Sequence, residues 1–225
     1  MNKFYEDIRP ILVSVDCIVF GFTRGSLKIL IGRRKMMPGK GKWSLYGDFV
    51  GDNETLDDAA ARTLSNLTGL DNLLMIQVGA FGEIDRDPGQ RVISVAYSSL
   101  INVSDYDENL RRKYGVEWVD IEDLPELYSD HKKMVDEAIR KLRNRLSTEP
   151  LCFSLLPDMF TLTQLQQVYE AILGEEIDKR NFRKRVKAIP FIQKTEHIDK
   201  LTSKRGAALY CFNEEVFNKT EKFRL

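Results

Sequence analysis

The stretch GDNETLDDAAARTLSNLTGL, from Gly51 to Leu70, carries residue types that suit phosphate chemistry and lacks the ones that would complete it. Glu54 stands in a Gly-containing turn, and Arg62 follows within an Ala-rich, helix-forming run. Positions 63, 66 and 67 are spaced i, i+3 and i+4, so a helix puts them on one face. Carboxylates there would hold Mg2+ ions, neutralise a diphosphate and activate a water. The chain has Thr63, Asn66 and Leu67 instead. Thr and Asn are weak neutral ligands and Leu is none, so no metal site, cofactor or catalytic set is expected. Glu54 and Arg62 remain able to pair structurally and fix the turn against the helix.

A second constellation lies near the C-terminus. Between Asp178 and Arg205 there are ten basic residues against three acidic ones, although the chain as a whole has zero net charge. A basic patch on a neutral protein is what nucleic-acid binding needs, whereas a uniformly basic coat is excluded. The plain alternative is a solvated helix face.

These residues need a framework. Residues 11–21 are rich in β-branched side chains and read as a buried strand, with LKILIGRR pairing back across the turn at residues 23–26. Two further strands flank the polar loop DRDPGQ, and VEWVDIEDLPEL is a strand and turn. Thr55, followed by Asp57 and Asp58, predicts a helix start, and Gly69 its stop. A long charged amphipathic helix is predicted from Asp130 to about Leu146. Beyond residues 147–150 the pattern changes. Thr161 and Gln164 have capping-box spacing, ahead of apolar residues at helical intervals. Gly174 breaks that helix and Asp178 caps a second one. Phe182, Val186 and Ile189 line one face of the second helix, and Pro190 ends it. FIQKTEHIDKL and AALYCF then read as two strands joined by a basic turn. The expected architecture is an α/β (α+β) mixed-sheet sandwich over residues 1–147 and a winged helix-turn-helix over 151–225.

The composition, 43% hydrophobic and 30% charged, is enough for sizeable cores. Cys17, Cys152 and Cys211 are widely separated and odd in number, which suits buried thiols in a reducing cytoplasm. Neither a signal peptide nor a membrane span is expected.

Anchored on Gly69, the Gly51–Leu70 stretch resembles the Nudix box, G-x5-E-x7-R-E-U-x-E-E-x-G-U, with U apolar. Glu54, Arg62, Leu64 and Leu70 match. Asp48 stands for the first glycine, and Thr63, Asn66 and Leu67 stand for the three remaining acids. The C-terminal third resembles the winged helix of Nudix-related transcriptional regulators, so the resemblance covers nearly the whole chain. It implies an effector-sensing Nudix-like domain and homodimers on palindromic operators. Effectors in that family are ADP-ribose-type nucleotides or, in a sugar-catabolism branch, pentoses such as arabinose. The missing carboxylates tilt the expectation toward a repressor answering a pentose, L-arabinose, with an ADP-ribose sensor as the alternative.

Candidate effector-binding residues are Tyr5, Asp7, Trp43, Glu83, Arg86 and Gln90, with Tyr46, Asp85 and Arg91 nearby. The plain alternative for each is a loop charge or a core aromatic. Candidate DNA-binding residues are Lys179, Arg180, Asn181, Arg183, Lys184 and Lys187 on the basic helix, and Lys204 and Arg205 on the wing. Arg180 and Asn181 are the expected base contacts. Two other classes stay open: a Nudix hydrolase with relocated ligands, and an RNA-binding or scaffold protein.

Overall fold

The structure is a computed structural model that describes residues 7–103, 112–200 and 206–220. Tyr5, Lys204 and Arg205 lie outside the described residues. Strand β1 (Leu12–Thr23) is buried from Ser14 to Phe22, the burial of a strand covered on both faces. It pairs in parallel with β6 (Val92–Asn102). On its other edge it pairs antiparallel with β4 (Tyr46–Phe49) along its first half and with β2 (Ser26–Arg33) along its second. With β3 (Trp43–Ser44), β5 (Ile76–Phe81) and β7 (Val116–Asp120) this makes a seven-stranded mixed sheet.

Period-two alternation along β1 divides the core. Val15, Cys17 and Val19 pack with Ala59, Ala60 and Leu64 of helix α1 (Leu56–Thr68). Ile18, Phe20 and Phe22 share the opposite cluster with Met134, Val135, Ala138 and Leu142 of helix α2 (His131–Leu146). The sheet is thus sandwiched between two helices, as expected. Helix α1 begins in a capping box in which Thr55 Oγ1 accepts from Asp58 N at 3.1 Å and Asp58 Oδ2 accepts from Thr55 N at 3.1 Å. It stops at Gly69, whose φ of 77° is left-handed.

The C-terminal unit contains β8 (Met159–Thr161), α3 (Leu162–Leu173), α4 (Lys179–Lys187), β9 (Ile192–Asp199) and β10 (Ala207–Phe212). The strands form a sheet in the order β8-β10-β9, and α5 (Glu214–Asn218) follows. This is a winged helix. Thr161 and Gln164 make the capping box the spacing predicts, and Asp178 Oδ1 accepts from Asn181 N at 2.8 Å to cap α4. Strand β8 and the 3-10 helix Pro150–Leu155 are additions to the sequence reading. The 3-10 helix contributes buried Cys152 and Leu155, through which the apolar core runs unbroken from the sheet and α2 into Leu165, Val168, Phe182 and Phe191. The change at residues 147–150 is therefore one of element order, not a gap in packing.

Cys17 and Cys152 are buried and Cys211 half-buried, all as free thiols. Burial pushes the Cys152 thiol up to about 12, so it stays protonated and unreactive. No helix among the described residues is long and apolar enough to cross a membrane.

Candidate functional site

The turn before α1 is held by a charge clamp. Arg62 Nε donates to Glu54 Oε2 at 2.8 Å and Nη2 to Oε1 at 2.7 Å, a bidentate pair. Arg62 Nη1 reaches Asp48 Oδ2 at 2.7 Å, and Nη2 also donates to the Phe49 carbonyl at 2.9 Å. Gly51 N donates to Glu54 Oε1 at 2.6 Å. These bonds to the ionised form, first from Arg62 and then from Gly51, lower the Glu54 carboxyl to about 2. Asp48, at the box's first glycine position, is thereby recruited to the clamp.

The positions that lost carboxylates have also left a common surface. Thr63 is fully buried, Asn66 is exposed and Leu67 is packed at the edge of the α1 core. A threonine sealed in the core and a leucine beside it do not fit a divalent cation, which wants several charged oxygens facing one point. Among the described residues no group of three His, Cys, Asp or Glu side chains is placed to hold a metal.

The predicted effector residues are split by the fold. Glu83, Asp85 and Gln90 are exposed on the β5–β6 loop, and Arg91 Nη1 donates to the Glu83 carbonyl at 2.8 Å. Asp7 is exposed ahead of β1. Trp43 is half-buried with the Arg33 guanidinium 3.6 Å from its ring centroid, so one aromatic face already carries a cation. Tyr46 is in the core near α1.

Arg86 faces inward: its side chain is 6% exposed and makes a bidentate bond to Asp130, at 2.9 and 3.0 Å. Asp16 lies 3.6 Å from the same guanidinium and accepts from Ser94 Oγ at 2.6 Å. His131 completes the cluster. Its Nδ1 accepts from Leu45 N at 3.1 Å, and Nε2 lies 3.6 Å from Asp16 Oδ1. Burial lowers its pKa, with Asp16 and Asp130 opposing.

Sequence reasoning missed Asp16, Ser94, Asp130 and His131 as partners. One signal was available. Asp16 is an acid inside a β-branched strand, and a buried charge demands partners.

On the winged helix, periodicity sorts the basic residues. Arg180, Lys184 and Lys187 are exposed on the face of α4 turned away from buried Phe182 and Val186, and Lys179 is exposed in its first turn. Lys179, Arg183 and Lys187 line a cleft of about 730 Å3 shared with Thr163 and Gln167 of α3 and residues 206–208 of the wing. Arg183 is half-buried and Nη2 donates to Thr163 Oγ1 at 3.1 Å, tying the two helices. Asn181 and Arg185 stand on the other flank and line a smaller cleft with Arg143 and Ser147. Asn181 is itself exposed and borders both sides, with Lys184 three residues on and Arg185 four residues on.

With this geometry described, comparison with known proteins is decisive on family. Residues 10–138 match the NUDIX domain and residues 152–212 match the NrtR DNA-binding winged helix domain. A protein of Acinetobacter baylyi described as an ADPR responsive transcriptional repressor, NtrR, is 35% identical over 205 residues, spanning 89% of this chain and 82% of that one. This chain belongs to the NrtR family.

The NrtR of Shewanella oneidensis, in a crystal structure with a 27mer DNA, superposes with a TM-score of 0.82 at 25% identity, covering 95% of this chain and 97% of that one. An ADP-ribose pyrophosphatase of Methanocaldococcus jannaschii is 32% identical over 140 residues, 62% of this chain and 79% of that protein. Membership of the NrtR family corrects one expectation. None of these matches is to a pentose-responsive regulator, and arabinose has no support as effector. The tilt toward a sugar rested on the lost carboxylates, and those bear on metal-assisted hydrolysis rather than on whether a nucleotide can be held.

Proposed function

We propose that this protein is a transcriptional repressor whose grip on operator DNA is controlled by ADP-ribose or a closely related nucleotide, and that it does not hydrolyse that nucleotide. The observation that carries the reading is the joining in one chain of two things. One is a Nudix box whose positioning clamp, Glu54–Arg62, is intact while positions 63, 66 and 67 lack carboxylates. The other is a winged helix that presents Lys179, Arg180, Lys184 and Lys187 to solvent beside its wing.

The similarity to the A. baylyi repressor supports ADP-ribose as effector, and the M. jannaschii pyrophosphatase supports the same ligand chemistry for the Nudix part. Exposed Glu83, Asp85 and Gln90 suit ribose hydroxyls, and the Arg33-capped Trp43 suits a planar base. The basic face of α4 would sit in the major groove of a duplex, and a twofold dimer would read a palindrome. The effector acts by binding one arrangement of the two DNA-reading helices better than the other.

The test is fluorescence anisotropy on a duplex selected from random sequence by the protein, at fixed salt, with and without ADP-ribose. Sequence-selective binding weakened by ADP-ribose is the expected result. Equal affinity for all duplexes, or indifference to the nucleotide, overturns the reading. The M. jannaschii similarity gives a second reading, a hydrolase, its own assay: Mg2+-dependent turnover of ADP-ribose that Glu54→Gln abolishes would establish it.

A further inference from the structure

The β5–β6 loop touches the rest of the protein in an unusual way. Its outer residues face solvent, with Ile84 83% exposed and Glu83, Asp85 and Gln90 exposed beside it. Several of its polar bonds close on themselves: Gly89 N and Gln90 N donate to Asp87 Oδ1, and Arg91 donates to the Glu83 carbonyl. The polar ties from residues 83–90 to the body of the protein run through Arg86. Its guanidinium holds Asp130 and lies beside Asp16, and its carbonyl accepts from Ser129 Oγ.

Asp130 stands at the N-cap of α2. An aspartate there ordinarily turns its carboxylate onto the helix's own free amides from an extended backbone. Asp130 makes no such cap bond, and its backbone sits at φ −93°, ψ 10°. The carboxylate is given to Arg86 instead, 44 residues away in sequence. The start of α2 is therefore held by the loop.

The far end of α2 holds the DNA-binding unit. Over its 16 residues the helix spans about 24 Å. Near its C-terminus Arg143 Nε donates to the Ile172 carbonyl of α3 at 2.7 Å, and Leu146 O accepts from Tyr169 Oη at 3.3 Å. The Tyr169 ring packs edge-on against Phe182 of α4, centroids 5.4 Å apart. Contacts run without a break from the exposed loop to the helix that carries Lys179–Lys187.

We infer that the Arg86–Asp130 pair is the joint through which nucleotide binding at the β5–β6 loop reaches the DNA-reading helix. The inference rests on the reading of the protein as a nucleotide-responsive regulator. Both members are positioning residues. The Asp130 carboxylate has two competing sets of partners, the Arg86 guanidinium and the amides of the first turn of α2. A ligand that pulls the loop exchanges one for the other and resets the start of α2. That is a two-state element which both the loop and the helix can bias.

The test uses the full chain and the double variant Arg86→Met with Asp130→Asn, which removes one buried charge of each sign. ADP-ribose affinity is measured by calorimetry with and without operator duplex, and duplex affinity by anisotropy with and without ADP-ribose. The two coupling factors of the wild type must agree, since coupling is reciprocal. In the variant the coupling factor is expected to fall by about tenfold or to one; it is the ratio of one ligand's affinity with and without the other, so a change in the affinity of either ligand alone does not enter it. A folded variant that keeps the wild-type coupling factor overturns the joint and leaves the functional reading standing. A wild type that does not bind ADP-ribose, or whose DNA affinity ignores it, overturns both. If the double variant fails to fold, hydrogen exchange of the wild type decides. Added ADP-ribose should change amide protection in residues 131–134 and in α4, and unchanged protection at the start of α2 overturns the joint.

Discussion

Arg62 and Glu54 grip each other through two parallel bonds, Nε to Oε2 at 2.8 Å and Nη2 to Oε1 at 2.7 Å, across the turn that leads into α1. The pair ties the turn to a helix whose three metal-type positions carry Thr63, Asn66 and Leu67. The clamp shapes the turn with side-chain charge alone, and nothing in its geometry needs an ion.

The clamp has a pH signature. The Glu54 carboxyl is lowered to about 2, chiefly by Arg62 and then by the Gly51 amide. A depressed carboxylate stabilises the fold fully above its unfolded pKa, near 4.5, and that stabilisation is lost as pH falls toward the folded value. Glu54→Gln should therefore melt below wild type at pH 7. The gap should narrow steadily as pH falls from about 5 toward about 2. Thermal melts of both proteins at three or four pH values check this; a gap that does not change with pH would show that the Glu54 charge does not stabilise the turn.

Glutamates restored to the box should behave very differently from one another. Thr63 is fully buried against the sheet, so Thr63→Glu buries an unpaired carboxylate and should cost about 3 kcal/mol or more. Asn66 is exposed, so Asn66→Glu should stay within about 0.5 kcal/mol of wild type. Urea denaturation of the two single variants measures both. Equal stability would mean that position 63 can turn out to solvent, and would return a metal-holding surface to the helix.

Much of this fold was legible because local signals and tertiary packing agree. Thr55, Thr161 and Asp178 cap the helices that their positions predict, and Gly69 and Gly174 end helices in left-handed conformations with φ of 77° and 75°. The apolar face of α4, Phe182 and Val186, is the buried one. The β5–β6 loop was not legible in the same way. Arg86 has the chemistry of a phosphate ligand, and only the fold reveals that Asp130 and Asp16 converge on it from distant parts of the chain. Asn181, whose residue type suits base reading, is exposed at the border between Lys184 and the cleft it lines with Arg185. The unbroken core across residues 147–150 was invisible too, because composition reports a change of pattern and not what packs on what.

His131 carries a second pH dependence. Burial lowers its pKa below the ordinary 6.5, and its Nδ1 accepts from Leu45 N, so the imidazole is held neutral. The unfolded chain then binds more protons than the fold as pH drops through about 6.5. Stability contributed by neutral His131 is fully present above that pH and declines below it. Wild type should lose stability between pH 7 and pH 5.5. His131→Gln, which keeps an acceptor for Leu45 N, should lose less over the same interval. Urea denaturation at the two pH values compares the slopes; identical slopes would show that His131 protonates in place without penalty.

The basic face of α4 makes the most direct prediction about DNA. Arg180 and Lys184 are exposed, one turn apart, on the face opposite buried Phe182 and Val186. Removing them should leave folding within about 0.5 kcal/mol of wild type, since surface substitutions touch no core contact. Each lost phosphate contact should reduce the slope of log affinity against log salt by about 1. Arg180→Ala with Lys184→Ala is thus expected to weaken operator binding at low salt and to flatten its salt dependence by about 1 where Arg180 reads a base, and by about 2 where both residues hold phosphates. Asn181→Ala, on the flank beside Arg185, should leave the slope unchanged, because a neutral side chain displaces no counterion. Anisotropy titrations across four salt concentrations separate these cases. If the double variant loses affinity with an unchanged slope, the two residues read bases and not phosphates. If it loses none, the DNA lies against another face of the winged helix, and the row from Lys179 to Lys187 is only a solvated surface.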